Sequence, residues 1–156
     1  DISPEIGCGP TTIPLLARAN RPPCCIPRND ARIIGTSSVE GKLGKPAIAG
    51  YATTKHAVNG LVNSVAREVG TLGITVNAIL PGLIETDIVR DTGPASAIAM
   101  GLESYDAMIG LFTQESALKR PNKVEEVAAV AVLMATDAAR NMTGCLFPVD
   151  GGTMPY

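Results

Sequence analysis

Between residues 50 and 82 the chain changes its hydrophobic period once, and that single change limits the folds open to it. Ala57, Val58, Leu61, Val62, Val65, Ala66 and Val69 recur at helical spacing, and Gly70 and Gly73 follow as stop signals. Ile74-Thr75-Val76-Asn77-Ala78-Ile79-Leu80 then reads as a short buried strand, ended by Pro81-Gly82. A strand of this kind needs cover on both faces, which is the situation of a strand inside a parallel sheet flanked by crossover helices.

The rest of the chain from Ala31 onward extends that pattern. Arg32-Ile33-Ile34-Gly35-Thr36 is a short apolar strand opening into small polar residues. Residues 83–118 carry mixed signals, because Gly93-Pro94, Gly101 and Gly110 interrupt weak helical patterns; a long, mobile excursion outside the core is expected there. Asn122 has the character of an N-cap for a helix over residues 123–135, with an apolar face of Val124, Val127, Ala128, Ala131 and Met134 and with Leu133 beside it. Leu146-Phe147-Pro148-Val149 forms a last strand, and Asp150-Gly151-Gly152 turns the chain away. Strands alternating with helices predict an α/β fold, a partial Rossmann-like, doubly wound parallel sheet with right-handed crossovers.

Residues 1–30 differ in kind. They hold six of the twelve prolines (Pro4, Pro10, Pro14, Pro22, Pro23 and Pro27) and three of the four cysteines, with no clean helical or strand period. Proline at that density removes amide donors and blocks helix interiors, so an irregular or disordered segment is expected over 1–30, ahead of a folded part over 31–156.

Composition removes several function classes. With a net charge of -2, no Lys/Arg block, three Tyr, two Phe and no Trp, the chain has neither a basic footprint nor an aromatic platform for nucleic acid. It has no apolar run of about 18 residues and no basic-then-apolar N-terminus, so neither a membrane span nor secretion is expected, and a cytoplasmic address is the default. The vicinal Cys24 and Cys25 lack the C-x-x-C spacing of a metal or redox site, and the single His56 supplies no second ligand cluster, so no metal is expected.

In parallel α/β sheets the ligand crevice lies at the carboxyl ends of the strands. The residues found there are Thr36, Ser37 and Ser38 after the first strand, Tyr51 and Lys55 at the start of the following helix, and Pro81, Gly82, Ile84 and Thr86 after the second strand. Tyr51 and Lys55 are four apart, so they share a helix face and point back toward the strand ends. A phenol with an ordinary pKa of about 10 is a poor base at neutral pH, and a neighbouring ammonium favours its phenolate. Such a tyrosine exchanges a proton with an alcohol or carbonyl oxygen while a serine hydroxyl steadies the same oxygen, the acid/base half of a hydride transfer. The same residue types have a plainer use, since a helical Tyr packs, a helical Lys is solvated and paired Ser residues form turns.

The joint pattern resembles one family. Ser38 stands thirteen residues before Tyr51; Tyr51-Ala52-Thr53-Thr54-Lys55 fits a Y-x-x-x-K motif; residues 76–86 resemble the segment that follows the sixth strand, and Pro148-Val149-Asp150-Gly151-Gly152 the closing strand and turn, of short-chain dehydrogenases/reductases. Residues 33–152 are similar to the C-terminal, catalytic half of that fold. The resemblance implies Ser38 as the substrate-orienting hydroxyl, Tyr51 as the acid/base, and Lys55 as the group that favours the phenolate and holds the nicotinamide ribose. It implies that Pro81, Gly82, Ile84 and Thr86 line the nicotinamide of NAD or NADP, with Ile84 and Thr86 near the carboxamide, and that residues 87–118 form a substrate lid. It further implies a small-molecule alcohol or carbonyl substrate and a homo-oligomer; Ser37 is structural, and Glu85, His56 and Cys145 receive no role. The glycine-rich turn that meets the cofactor pyrophosphate in this family is absent, since Gly7-Cys8-Gly9 runs straight into Pro10 with no apolar strand before it. The alternative to an NAD(P)-dependent oxidoreductase is therefore a truncated, catalytically silent fragment serving as an interaction or oligomerisation module.

Overall fold

A computed structural model describes residues 31–154. The segment expected to be irregular, 1–30, lies outside the described residues. The elements in chain order are β1 (Arg32–Thr36), α1 (Ala49–Val69), β2 (Thr75–Pro81), α2 (Asp87–Ala99), α3 (Tyr105–Glu115), α4 (Val124–Ala135) and β3 (Leu146–Val149), with short 3-10 turns at Val39–Gly41, Gly70–Leu72 and Asp137–Ala139. The fold is α/β, and the sheet is parallel in the order β1-β2-β3. The register sets Ile34 against Asn77 on one side of β2 and Ala78 against Leu146 on the other.

β2 is central because its sequence can meet every demand of that position. Thr75 through Leu80 are all buried, and Val76, Ala78 and Leu80 pack with Val62, Ala66 and Val69 of α1 in one core cluster that also takes in Val39 and Met154. Side chains of this size contribute about 1.5–3 kcal/mol each when fully buried. Among the described residues β1 pairs only with β2. α1 ends in a 3-10 turn, and Gly73 at φ 74° closes it by donating its N–H to Gly70 O at 3.0 Å.

Of the two polar residues in that strand, Thr75 and Asn77, the more deeply buried is Asn77, only 1% exposed. Its Nδ2 donates to Met142 O at 2.7 Å and its Oδ1 accepts from Cys145 N–H at 3.0 Å. Thr143 Oγ1 accepts from Val76 N–H at 3.0 Å, and Gly144 N–H donates to Val76 O at 2.8 Å. The loop that leads into β3 is thus laid along β2 before the β2–β3 ladder begins.

Three expectations need correction. On α1 the buried stripe is Ala52, Asn59, Val62, Ala66 and Val69, whereas Ala57 and Leu61 face outward, Leu61 with 57% of its surface exposed. The helix rests one narrow stripe on the sheet, so the wide apolar face read from spacing is only partly used. On α4 only Met134 of the expected face is buried; Val127 and Ala131 are half-buried, and Val124, Ala128 and Leu133 are exposed. Asn122 is not its N-cap. Lys123 holds that position, and its N–H donates to Glu126 Oε2 at 2.8 Å while Asn122 turns inward.

Residues 83–118 hold two helices where interrupted patterns are read; Ala97 and Met108 are buried, but no side chain of the segment joins the core cluster. Pro94 lies inside α2, and Gly93 beside it is buried because the Tyr105 ring occupies the space its Cβ would need. Gly101 at φ 74° makes the turn between the helices, and Ser104 Oγ caps α3 by accepting from Ala107 N–H at 3.1 Å. The residues that look like helix breakers act as the joint of a helical hairpin.

Two measurements check this account. Asn77→Ala leaves Met142 O and Cys145 N–H without their partner, so denaturant unfolding is expected to show a loss of about 2–4 kcal/mol. The Arg120 guanidinium, through bonds of 2.6 and 3.0 Å, and then the Lys123 N–H hold the Glu126 carboxyl at about 2 against an ordinary 4.5. A lowered carboxyl stabilises fully above its unfolded value and is lost as pH falls through the folded one. The difference in melting temperature between the wild type and Glu126→Gln is therefore expected to be constant near neutrality, to shrink below pH 4.5 and to vanish near pH 2.

Candidate active site

A cavity of about 530 Å³ opens at the carboxyl ends of β1 and β2. Ser38, Tyr51, Lys55, Pro81, Gly82, Ile84 and Thr86 all line it, so the structure brings together every site residue singled out by sequence. Glu85, His56 and Cys145 do not line it.

The serine loop is built first. Ser37 N–H extends the β1 ladder by donating to Ile79 O at 2.8 Å, and its Oγ donates to Lys55 O at 3.2 Å. Ser38 Oγ caps the following 3-10 turn by accepting from Glu40 N–H at 3.2 Å, which leaves its own O–H proton for a donor role. Buried Asn59 of α1 donates from Nδ2 to Gly41 O at 2.8 Å. A Cβ on Gly41 would lie 2.7 Å from both Asn59 Nδ2 and Ser37 Oγ, so only glycine lets the loop close onto α1.

Tyr51 and Lys55 occupy the first turns of α1, over the end of β1. Lys55 Nζ sits 5.6 Å from the centre of the Tyr51 ring and donates to Thr36 O at 3.3 Å. One carbonyl engages the ammonium, and its remaining protons are available to a ligand. Tyr51 is 47% exposed.

The floor is formed by the residues after β2. Gly82 N–H donates to Val149 O at 3.0 Å, Asn122 N–H to Leu83 O at 2.8 Å, and Asn122 Nδ2 to Val149 O at 2.6 Å. Ile84 forms an isolated parallel bridge with Asn122. Asp150 lies behind this floor, its Oδ1 and Oδ2 accepting from Gly152 and Met154 N–H at 3.0 and 2.7 Å. α2 and α3 supply the apolar roof with Ile88, Val89, Met100, Met108 and Phe112.

At the lid end of the cavity stand Glu40, Lys45 and Glu115. Lys45 Nζ is 3.4 Å from Glu40 Oε1, contacts Glu115 Oε2 and lies 4.0 Å above the centre of the Phe112 ring. Burial raises the Glu40 carboxyl above its ordinary value; Lys45 draws it down, Glu115 pushes it up and His56 lowers it slightly. Glu40 is 8% exposed, and its Oε2 has no partner. Sequence reasoning missed this trio, Asn59 and the true role of Asn122. Asn59 left a signal, a polar residue in the apolar stripe of α1; the pairing of residues 45 and 115 left none.

The donor set suits the nicotinamide end of a dinucleotide: an ammonium with spare protons, a phenol beside it, and a floor of small and apolar residues backed by fixed backbone groups. Residues 11–154 match the family described as enoyl-(acyl carrier protein) reductase. The chain belongs to the short-chain dehydrogenase/reductase family. This family match reaches back into the segment that composition sets apart. The chain is 37% identical over 121 residues to a 3-oxoacyl-[acyl-carrier-protein] reductase of Pseudomonas aeruginosa, an alignment covering 78% of this chain and 44% of that protein. Among solved structures, a short chain dehydrogenase family protein from Francisella tularensis superposes with a TM-score of 0.73 at 28% identity, covering 81% of this chain and 52% of that one. An actinorhodin polyketide ketoreductase variant solved with NADPH does so with a TM-score of 0.75 at 27% identity, covering 83% and 49%. The chain spans about half the length of the relatives it matches. No helix among the described residues is long and apolar enough to cross a membrane.

A Cβ on Gly82 would lie 2.9 Å from Asp150 Cα, a backbone atom that cannot swing aside. Gly82→Ala of this short-chain dehydrogenase/reductase is expected to lose about 1–3 kcal/mol in denaturant unfolding. Gly44→Ala, where nothing lies within 4 Å, is the comparison expected to stay near the wild type.

Proposed function

We propose that this chain carries the catalytic part of an NAD(P)-dependent oxidoreductase that interconverts a small-molecule alcohol and its ketone or aldehyde. The observation that supports this reading is the convergence of Ser38, Tyr51, Lys55 and the residues after β2 on one cavity at the strand ends. The names of the relatives agree in kind, being reductases of 3-oxoacyl and polyketide carbonyls.

The geometry and the family resemblance together support the following roles. In the reducing direction the Tyr51 hydroxyl gives its proton to the carbonyl oxygen as negative charge grows there, and the Ser38 O–H donates a hydrogen bond to the same atom. In the oxidising direction the phenolate takes the proton back. Lys55, held by Thr36 O beside the Tyr51 ring, would bind the nicotinamide ribose hydroxyls. Pro81, Gly82, Ile84 and Thr86, which line the cavity, would hold the nicotinamide. The bound nicotinamide supplies or accepts the hydride. The α2–α3 roof sets the apolar side chains of Ile88, Val89, Met108 and Phe112 over the cavity.

A second reading, a silent interaction or oligomerisation module, draws on the exposed Val124, Val132 and Leu133 of α4. Titration with NADH and NADPH, followed by calorimetry, separates the two. Binding together with a carbonyl-dependent turnover that falls at least about 100-fold in Tyr51→Phe, with cofactor affinity little changed, is expected of the enzyme. Absence of binding at millimolar cofactor rejects the enzyme reading for this chain.

A further inference from the structure

The α2–α3 hairpin covers the cavity and is anchored at its base, where Ser116 Oγ and Leu118 N–H donate to Gly151 O at 2.9 and 3.0 Å, while its helices have few ties to the body of the protein. Among the described residues, the hydrogen bonds and ion pairs of α2 and α3 stay within residues 86–119, with one exception, the pair between Lys45 and Glu115. Lys45 belongs to the loop between Ser38 and α1, on the opposite wall. It reaches the hairpin with both a charge and a face, since its ammonium also rests 4.0 Å above the centre of the Phe112 ring. The same ammonium lies 3.4 Å from Glu40 Oε1, and Glu40 stands two residues after Ser38.

The loop is shaped for this reach. Ala47 sits at φ 67°, in the left-handed region that an alanine enters only where its surroundings impose it, and turns the chain from Lys45 into α1. Only 15% of the Lys45 side chain is exposed, so its ion pairs are screened by water less than those of a freely solvated lysine.

We propose that Lys45 is a positioning residue, the latch that holds the α2–α3 lid over the cavity and joins the position of the lid to the loop bearing Ser38. Two carboxylates and one aromatic ring share a single ammonium, so removing the ammonium frees the cavity end of the lid, leaving only its base bonds to Gly151, and sets Glu40 and Glu115 facing each other as like charges. The proposal goes beyond the hydride-transfer reading, because the latch is read on the protein without cofactor or substrate.

Hydrogen–deuterium exchange of the whole chain tests it. Lys45→Met keeps the length and apolar stem of the side chain, and amides of residues 87–115 are expected to exchange about 3- to 10-fold faster than in the wild type, the range for a partly screened ion pair with a ring contact. Amides of β2 are expected to keep their wild-type rates. Glu115→Gln approaches the same contact from the lid and is expected to accelerate the same segment, while Lys45→Arg restores protection. Arg90→Met removes an equal charge from the exposed Arg90–Asp87 pair inside α2 and is expected to leave exchange at α3 unchanged. Unchanged exchange at residues 105–115 in both Lys45→Met and Glu115→Gln overturns the proposal, and so does an equal acceleration in β2, which would mark Lys45 as a general stabiliser. Where turnover is measurable, Lys45→Met is expected to raise KM several-fold with kcat changed less, and the exchange result stands whether or not turnover is found.

Discussion

Asn77 does for the sheet what no apolar residue could do at its position. A central parallel strand must satisfy its backbone on both edges and still recruit a partner from far along the chain. The amide of Asn77 presents a donor and an acceptor to the loop ahead of β3, and the two bonds set that loop before the ladder begins. Everything behind the cavity floor follows from this placement. β3 lies beside β2, the Asp150 turn falls behind Gly82, and Asn122 bridges β3 to the segment holding Ile84.

The cavity is therefore made of two kinds of wall. The serine loop, the start of α1 and the floor after β2 are each held by buried backbone bonds and by close approaches that admit only glycine at Gly41 and Gly82. Under the proposed function these are the parts whose side chains would meet a reacting oxygen, and their placement leaves little freedom. The roof is different in kind. α2 and α3 pack on each other through Gly93 and Tyr105 and meet the opposite wall through Lys45. A rigid floor under a roof with few fixed ties suits a site that must admit and release a small molecule.

Much of this could be read in advance. The elements β1, α1, β2 and β3 are set by local signals: apolar runs of strand length, helical spacing and the Pro81-Gly82 and Asp150-Gly151 breaks. The grouping of Ser38, Tyr51 and Lys55 was legible because two of the three lie one helical turn apart and the third follows the preceding strand. The roof was not legible, since Gly93, Pro94 and Gly101 look like breakers until Tyr105 is seen seated against Gly93 and Gly101 is seen to turn one helix into the next. Asn122 has the composition of a helix cap, and nothing local shows that Val149 O stands nearer to its amide than the helix does.

The sequence by itself determined the type and order of β1, α1, β2, α4 and β3 and the residues that gather at the strand ends, because hydrophobic period and turn chemistry act over a few residues. Only the tertiary structure decided which stripe of α1 and of α4 is covered, that the segment after β2 folds into a helical roof, and that Lys45 meets Glu115 and Phe112 across the cavity. Those outcomes depend on contacts between residues tens of positions apart. No local pattern encodes such contacts, because each partner is indifferent to the other until the sheet brings them together.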